Sequence, residues 1–571
     1  MDKPLMTFSL RSRLAAAGVG LGLLAVLLSG HSWAAPRTAP FPGLRETSAT
    51  SHAIVGGKIV VSPKQTIDNG VVVIRDGLIV AIGPKEQVKI TGDAQVWNAE
   101  GKTLYAGFID ADGQLAGDAP RSGQRGGGGE TSGGAGYWNP HITPQVRVSQ
   151  AYTADAGANR KLRGQGITAR LVAPTAGIVK GTSVLVNTAD ESGKQSILKD
   201  QVALHLKLTT ARGGGGYPNS PMGAYTLVRQ AFYDAGWHGQ AWDAYQQGKE
   251  VPRPERSDAL AVMRGYLGGK LPVIIDAADE LYFLRADRIG DEFGLDVIVN
   301  GSGSEYRRLA EVKESGRAVI VPLNFPKAPN VATPEAAANV SLERLMHWDL
   351  APENPARLAE AGVRIAFTTE GLKDASGFLA GVRKAVKRGL TPEAALTALT
   401  VTPAELFGVA DRLGTLEVGK AANIVVAGGE LFNDKTKLLE TWVDGQRFEI
   451  EPEAPLDLRG GWTVKFAAAD GKEETIKLEL TGQPGKLAGK VAHGDLTSPL
   501  ISPALADMQF TTSFKGKPLG YDGVVQLSAT ISEGASESAV AGAKPKLTWI
   551  GVIVWADGRQ TACTAERTEL P

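Results

Sequence analysis

Short runs of β-branched residues flank the central part of the chain on both sides. Residues 53–83 and residues 411–450 alternate such runs with turn residues such as Gly, Asn and Asp. A period of two with closely spaced turns is typical of small antiparallel sheets. Both segments are therefore predicted to be β-rich, and they could share one domain, although the pattern alone does not show that their strands pair.

The central part follows a different pattern, in which apolar runs precede helical periods. Examples are LPVIID (271–276), LDVIVNG (295–301) and VRIAFTTEG (363–371), each followed by an amphipathic segment. Strands that are hydrophobic on both faces and alternate with helices indicate parallel βα units. About 300 residues of this pattern, without an early dinucleotide-binding glycine fingerprint, favour an eight-fold barrel over a doubly wound sheet. The predicted fold class is α/β.

The last part of the chain, from about residue 455, has only strand-like patterns. Trp462, Val464 and Phe466 alternate with polar residues, and residues 547–555 form a long apolar run. This pattern predicts a separate all-β domain over residues 455–571, either a β-sandwich or a small barrel.

The N-terminus has the layout of a secretory signal peptide. Lys3, Arg11 and Arg13 precede an apolar run at residues 14–28, and small residues around Ala34 follow. A membrane anchor is the alternative, but the run is short and interrupted by glycines. Residues 1–34 are therefore predicted to be removed, which gives an exported protein, periplasmic or extracellular, without stable membrane insertion.

Composition narrows the classes of function. The chain has 571 residues, with 61 basic and 61 acidic side chains, so it presents no net field for a polyanion such as nucleic acid. Hydrophobic residues make up 43% and charged residues 21%, which is typical of globular proteins. Cys563 is the only cysteine, so no intrachain disulfide can form.

Two glycine-rich segments, 126–136 and 213–216, are predicted to be flexible loops. Neither segment ends like a phosphate-binding P-loop, so a phosphate site is not expected there.

The segment GKTLYAGFIDADGQL (101–115) resembles the first barrel strand of the amidohydrolase superfamily. Further matches to its imidazolonepropionase-like branch follow in order: RGQGITARLVAP, KGTSVLVN, DEFGLDVIVNGSGSEY, WDLAPENPARLAEAGVRIAFTTEG, RGLTPEAALTALTVTPAELFGVADRLGTLEVGKAANIVV and TWVDGQRFEI. The resemblance covers residues 53–450. It implies a distorted (β/α)8 TIM barrel at 104–410, with a discontinuous small β-sandwich domain formed by 51–103 and 411–450.

The resemblance also implies a metal-dependent reaction. Members of the superfamily use a divalent ion, often zinc, that activates water for attack on a carbon–nitrogen bond. Their ligands are a His-x-His pair on the first strand, a carboxylated Lys or Glu on the fourth, histidines on the fifth and sixth, and an Asp on the eighth. Strand ends suit these ligands because all eight open onto one face of the barrel.

In this sequence almost every matched ligand position carries a different residue. The substitutions are Asp112 and Gln114 on the first strand, Asp276 on the fifth, Asn300 on the sixth and Glu370 on the eighth. None of the seven histidines falls on a matched position. When the family's ligand positions are transferred to this sequence, they predict a degenerate, oxygen-rich site in place of an imidazole-rich zinc site.

Three of these side chains are carboxylates, and they would repel one another. Unit charges roughly 4 Å apart repel by about 4 kcal/mol at an effective dielectric constant near 20. Three solutions stay open: a hard divalent cation (Ca, Mg or Mn rather than Zn), protonation of one carboxylate, or an internal lysine. Lys207 is the candidate lysine, because it resembles the fourth-strand lysine of the family, and His205 shares its strand face.

Two hypotheses for the function follow. The first is an exported hydrolase that cleaves a small amide, peptide-like or cyclic amide bond, with Asp276, Glu370 and Lys207 as catalytic residues and one divalent cation held by the five substituted positions. The second is a catalytically silent relative, without a metal, that binds a ligand or an active paralogous subunit. A serine hydrolase is disfavoured because the sequence has no Gly-x-Ser-x-Gly motif.

Overall fold

The computed structural model describes residues 51–114, 136–189, 193–210, 216–451, 457–468, 471–483, 486–506, 508–534 and 546–569. They belong to one compact unit, Thr50–Pro571. The predicted signal peptide and most of the two glycine-rich segments lie outside these residues. Within the described ranges, no helix has the length and apolar character needed to cross a membrane.

The two β-rich flanks of the sequence join in one eight-stranded sheet. Its strands from the first flank are β1 (Ser51–Ser62), β2 (Gln65–Arg75), β3 (Leu78–Pro84), β4 (Gln95–Asn98) and β5 (Thr103–Ala106), and those from the second are β16 (Ile424–Ala427), β17 (Leu438–Val443) and β18 (Gln446–Glu449). The link is the antiparallel pairing of β16 with β5, where Val425 faces Tyr105. The flanks thus pair within one sheet, and the sandwich arrangement stays a prediction.

The central region forms a barrel from two curved sheets. Its strands are β6 (Phe108–Gln114), β7 (Ile167–Ala173), β8 (Val179–Thr182), β9 (Val184–Asn187), β10 (Ile197–Lys199), β11 (Leu204–Lys207), β12 (Pro272–Asp276), β13 (Asp296–Asn300), β14 (Ala318–Pro322) and β15 (Ile365–Thr368). The first sheet has the order β10-β9-β7-β6, and the second has the order β15-β14-β13-β12-β11-β8. The predicted TIM-type barrel is present, with a distortion between β7 and β11.

That distortion replaces a βα unit by three short strands. β6 and β7 are parallel, as are β11 to β15, but β8 runs antiparallel to β11 and β9 runs antiparallel to β7. In the β8–β11 register, Gly181 lies opposite His205. The consequence is that Lys180, next to Gly181, enters the barrel beside β11.

Helices surround the barrel strands. They are α1 (Val148–Ala151), α2 (Ala156–Arg163), α3 (Pro221–Gln246), α4 (Asp258–Arg264), α5 (Glu280–Phe293), α6 (Leu309–Ser315), α7 (Pro334–Ala338), α8 (Leu342–Leu350), α9 (Asn354–Glu360), α10 (Phe378–Lys387), α11 (Pro392–Leu399) and α12 (Val401–Leu406). Their starts follow the usual capping chemistry: Asp279 accepts backbone hydrogen bonds at the start of α5, and Thr391 does so at α11, where Pro392 opens the helix.

The parallel strands are buried on both faces, as their continuous apolar runs predict. On β12 to β14, Val273, Val297 and Val319 pack in the large cluster shared with the helices. Ile274, Ile298 and Ile320 belong to a second cluster inside the barrel. Within the described residues, these side chains fill the middle of the barrel interior.

The C-terminal region is a closed antiparallel barrel, which decides between the two predicted forms. Its strands are β19 (Gly460–Ala467), β20 (Glu473–Gln483), β21 (Lys486–His493), β22 (Leu496–Ala506), β23 (Gln509–Lys515), β24 (Val524–Gly534), β25 (Lys546–Val554) and β26 (Gln560–Glu569). Pairing of β19 with β26 closes it, with Phe466 opposite Cys563. Its interior is apolar and includes Trp462, Phe510 and Trp549.

Candidate functional site

A cavity of about 390 Å³ opens at the carboxyl ends of β11 to β15. We call it the mouth cavity; its lining residues are Lys207, Thr209, Asp276, Ala277, Ala278, Asn300, Gly301, Ser302, Pro322, Asn324, Thr368, Glu370 and Gly371. In barrels of this kind, ligands bind at this face. The fold thus brings the candidate residues on the fifth, sixth and eighth strands to one place, as the resemblance predicted.

Asn300 is at the centre of the polar group. Its Nδ2 atom donates a hydrogen bond to Asp112 Oδ2 at 2.6 Å. The same nitrogen lies 3.3 Å from Asp276 Oδ1 and 3.3 Å from Glu370 Oε2. The three predicted carboxylates therefore converge on one amide group, and a hydrogen-bond donor stands between them.

The counter-ion of this group is Lys180, which the sequence analysis did not single out. Its Nζ atom lies 2.5 Å from Asp276 Oδ2, and its side chain is only 10% exposed. Burial disfavours the charged ammonium, but attraction to Asp276 and the hydrogen bond between them outweigh burial, so the pKa of Lys180 is raised. Lys180 is therefore a buried, charged partner of Asp276.

Lys207 does not lie where an internal counter-ion of the carboxylates would lie. It ends β11 on the wall of the mouth cavity and is exposed to solvent. Within the described residues it forms no ion pair, whereas Lys180 pairs with Asp276. The expectation that Lys207 neutralises the carboxylates is wrong. Lys180, on the antiparallel strand β8, is the lysine that pairs with Asp276.

Asp112 is buried and faces Glu370 across the site. Burial raises the pKa of Asp112 well above its usual range, and the hydrogen bond with Glu370 and the repulsion from Glu370 and Asp276 act in the same direction. The backbone holds the pair in place, because Thr368 Oγ1 donates to the Asp112 carbonyl and accepts from the Glu370 amide. The raised pKa of Asp112 favours its protonated form, and protonation of one carboxylate reduces the repulsion within the group.

Two further buried groups lie near this centre. Asp110, within β6, accepts hydrogen bonds from the Thr369 amide at 2.9 Å and the Thr369 hydroxyl at 2.5 Å, which connects β6 to the residue that follows β15. His205 is fully buried, and neither ring nitrogen has a hydrogen-bond partner within the described part of the chain. Burial, with a contribution from Lys180, lowers the pKa of His205 to about 3. His205 is therefore a neutral packing residue, and Asp110 a structural one.

These groups do not fit a divalent cation as they are arranged. The Lys180 ammonium already contacts Asp276, and the Asn300 amide directs its hydrogens, not its oxygen, towards the three carboxylates. A divalent ion at the same oxygens would be repelled by Lys180. In the described ranges, no three His, Cys, Asp or Glu side chains are arranged to hold a metal ion. Gln114 ends β6, and its side chain lies outside the described part.

A larger cavity, of about 790 Å³, lies against the C-terminal barrel. Its charged lining residues include Lys477, Glu479 and Lys490. Glu479 and Lys490 pair with each other at 2.9 Å, and both side chains are more than half exposed. Exposed pairs of this kind interact weakly and are common on surfaces. Buried charges converge at the mouth cavity instead, which makes the mouth cavity the candidate functional site.

Comparisons with known proteins agree with this architecture. Residues 353–448 match the model of the amidohydrolase family. The crystal structure of an amidohydrolase from Thermotoga maritima MSB8 aligns with a TM-score of 0.55 and 23% sequence identity, over 70% of this chain and 99% of that chain. A Xaa-Pro dipeptidase, at 15% identity, aligns with a TM-score of 0.40 over 70% of this chain and 100% of that chain. No curated protein matches the chain by sequence.

The fold is thus a TIM-type barrel like that of the aligned amidohydrolase structure. The match over residues 353–448 and the shared fold confirm the resemblance to the amidohydrolase superfamily. The imidazolonepropionase-like branch and the substitution of the metal ligands stay predictions.

Proposed function

We propose that this protein binds a small amide or peptide-like ligand in the mouth cavity and that it does so without a divalent metal. The observation that carries the proposal is the contact of Lys180 Nζ with Asp276 Oδ2 at 2.5 Å. A fixed internal ammonium compensates the carboxylates in place of a metal ion. An ammonium cannot ionise a bound water as a metal ion does, so metal-assisted hydrolysis is absent from this function.

Several polar groups line the wall of the mouth cavity. They include Lys207 and the hydroxyl-bearing residues Thr209 and Ser302. A few convergent polar groups in a concave site are typical of small-molecule binding. We propose further that the protein is exported. It acts either as a binding protein or as the catalytically silent member of a pair with an active paralogous amidohydrolase.

A second candidate is a hydrolase with an oxygen-ligated cation, with Asp276, Glu370 and Lys207 as catalytic residues. The convergence of Asp112, Asp276 and Glu370 on one atom of Asn300 favours it. Hard cations prefer such oxygen groups, and this function would require Lys180 to leave Asp276 and Asn300 to turn its oxygen inward.

Metal analysis of the purified mature chain separates the two candidates. We expect less than a stoichiometric amount of any divalent ion, and no cleavage of N-acyl amino acids or dipeptides when Ca, Mg, Mn or Zn is added. A stoichiometric ion that is lost in Asp276→Ala, but kept in the exposed-site control Asp296→Ala, would overturn the proposal and support the hydrolase.

A further inference from the structure

The outer helix α3 is apolar on two opposite faces. It spans Pro221–Gln246, which makes it about 39 Å long at 1.5 Å per residue. The face towards the barrel buries residues such as Leu227 and Phe232, as expected of a helix that packs on barrel strands. On the solvent face, Tyr233 is 56% exposed and Trp237 is 68% exposed. Apolar residues on opposite faces are typical of a helix that is covered on both sides, and the described residues cover only one.

From Met222 to Gln240, the exposed residues of α3 form one stripe along the helix. They recur every three or four positions, so their side chains lie on the same side. We call this stripe the α3 seam; it consists of Met222, Thr226, Gln230, Tyr233, Trp237 and Gln240. None of these six residues carries a charge, whereas the solvent face of a surface helix is typically charged. The seam therefore has the composition of a helix–helix interface.

The centre of the α3 seam is held in place by the neighbouring helix α5. Arg229, beside the seam, donates to the two carboxylate oxygens of Glu292 at 2.6 and 2.7 Å. The Tyr233 hydroxyl donates to the same carboxylate at 2.7 Å, and the Tyr233 ring meets Phe293 edge to face, with the ring centroids 4.9 Å apart. The exposed ring of Tyr233 is thus oriented before any partner binds, which lowers the entropic cost of forming an interface.

The α3 seam is complementary to itself about Tyr233. When two α3 helices lie antiparallel with the two-fold axis at this residue, Thr226 of one copy lies opposite Gln240 of the other. In the same arrangement Trp237 of one copy lies opposite Arg229 of the other, which is a cation–π pair, and the symmetry forms it twice. Because the seam residues are uncharged, the axis brings no like charges of the seam together.

We propose that α3 is a dimerisation surface, paired antiparallel along its seam with α3 of a second copy of this chain. The footprint, taken as helix length times diameter, is roughly 450 Å² per copy, or roughly 900 Å² for the pair. That total lies near the lower end of specific interfaces, so the dimer is reversible. Tyr, Trp and Arg at its centre are the residue types that contribute most to such interfaces. This inference goes beyond the proposed function and does not depend on it.

Sedimentation velocity of the purified full-length chain, from about 1 to 100 μM, tests the inference. We expect a monomer–dimer equilibrium with a midpoint in the micromolar range. Trp237→Glu should weaken the association about thirtyfold or more, because both copies lose an anchor of the interface. An unchanged melting temperature of the variant shows that it is folded.

The matched control is Ile550→Glu on the C-terminal barrel, where Ile550 is 69% exposed. It adds the same charge at an equally exposed apolar position outside the seam, so the dimer should persist. Dissociation in Ile550→Glu, with a dimer that survives in Trp237→Glu, would place the interface on the C-terminal barrel and overturn the inference.

Disulfide linking tests the antiparallel register. Cys563, the only native cysteine, is buried, so an introduced cysteine is the accessible thiol. After oxidation with copper phenanthroline, a mixture of the Thr226→Cys and Gln240→Cys chains should give linked dimers. Thr226→Cys alone should not, because its two thiols lie roughly 21 Å apart along the helix axis, beyond the reach of a disulfide. Tyr233→Cys, at the two-fold axis, should link to its own copy.

Three further results would overturn the inference. The first is a monomer at every concentration. The second is linking of Thr226→Cys to itself without linking in the mixture, which would mean a different register or orientation. The third is a monomer whose Tyr233→Cys thiol resists labelling, which would mean that another part of the same chain covers the seam. None of these results bears on the proposed function, which the metal analysis tests separately.

Discussion

The two barrels of this molecule differ in the side chains that they enclose. The central barrel has charged groups at its mouth, where Asp112, Asp276 and Glu370 surround Asn300. The C-terminal barrel is filled by aromatic residues: the ring centroids of Trp462 and Trp549 are 4.3 Å apart, and those of Phe510 and Trp549 are 4.8 Å apart. The first interior depends on charge compensation, and the second depends on packing.

This difference supports the mouth cavity as the candidate functional site. The C-terminal barrel gains stability from its apolar interior, and Glu479 and Lys490, which line the cavity of about 790 Å³ against it, are exposed. Buried carboxylates cost stability unless they are paired, so their presence at the central mouth indicates a site kept for binding or chemistry. If this comparison holds, the two barrels should respond differently to substitution, to pH and to metal ions.

The largest effect is expected for Lys180→Met. This change leaves Asp276 beside two other carboxyl groups without its cation, and removing one partner of a buried pair costs about 3–5 kcal/mol. Urea unfolding at neutral pH measures the free energy. The matched control, Lys207→Met, should change it by less than about 0.5 kcal/mol, because Lys207 is exposed. Equal losses in the two variants would contradict the assignment of Lys180 as the counter-ion.

The C-terminal barrel should respond to loss of packing alone. Leu527→Ala removes a buried side chain from its core and should destabilise that domain by about 3 kcal/mol, through lost burial and the cavity left behind. Tryptophan fluorescence during urea unfolding measures the change. Binding at the mouth cavity should be unaffected below the unfolding transition. A loss of binding in the folded variant would show that the two barrels are not independent in this respect.

The pH dependence of stability should include a contribution from His205. Its pKa is about 3 in the folded state against 6.5 as its ordinary value, so the folded state binds fewer protons. The stability it contributes is present above pH 6.5 and is lost as the pH falls. Below pH 6.5, His205→Leu should therefore reduce the slope of the unfolding free energy against pH by about 1.4 kcal/mol per pH unit. Parallel stability curves for the two proteins between pH 6.5 and 5 would contradict a neutral, buried His205.

Asp112 should show the opposite sign. Its folded pKa is raised, so its favourable contribution is present at acidic pH and is lost as the pH rises through the folded value. Asp112→Asn imitates the protonated form and keeps an oxygen for Asn300, and it should raise the melting temperature by about 2–4 °C at pH 8. At pH 4 the difference should vanish. A lower melting temperature of the variant at pH 8 would mean that the charged carboxylate is needed.

The parts of the fold that local patterns determine could be predicted from the sequence. Runs such as PVIID in β12 are apolar on both faces, which indicates a buried parallel strand before any contact is known. Closure of the C-terminal barrel could not be predicted, because it depends on the pairing of β19 with β26 about a hundred residues apart. Local alternation is the same in a sandwich and in a barrel.

The candidate site was predictable only in part, for a similar reason. Asp276, Asn300 and Glu370 follow apolar strands, so their common position at the strand ends follows from the βα pattern. Lys180 does not follow such a strand. It begins the segment KGTSVLVN and reaches the site because β8 pairs antiparallel with β11, a non-local contact without a sequence signal. The charge balance of the site depends on that one contact.

We claim that an internal ammonium, not a metal ion, compensates the carboxylates of the central barrel. Thermal melting of the wild type and of Lys180→Met, each with EDTA, Ca²⁺ or Mn²⁺, separates these two alternatives. We predict that the wild type melts at the same temperature in all three conditions, and that Lys180→Met melts lower and is partly restored by a divalent cation, which would then replace the lost ammonium. A melting temperature of the wild type that falls in EDTA and returns with the metal would contradict the claim.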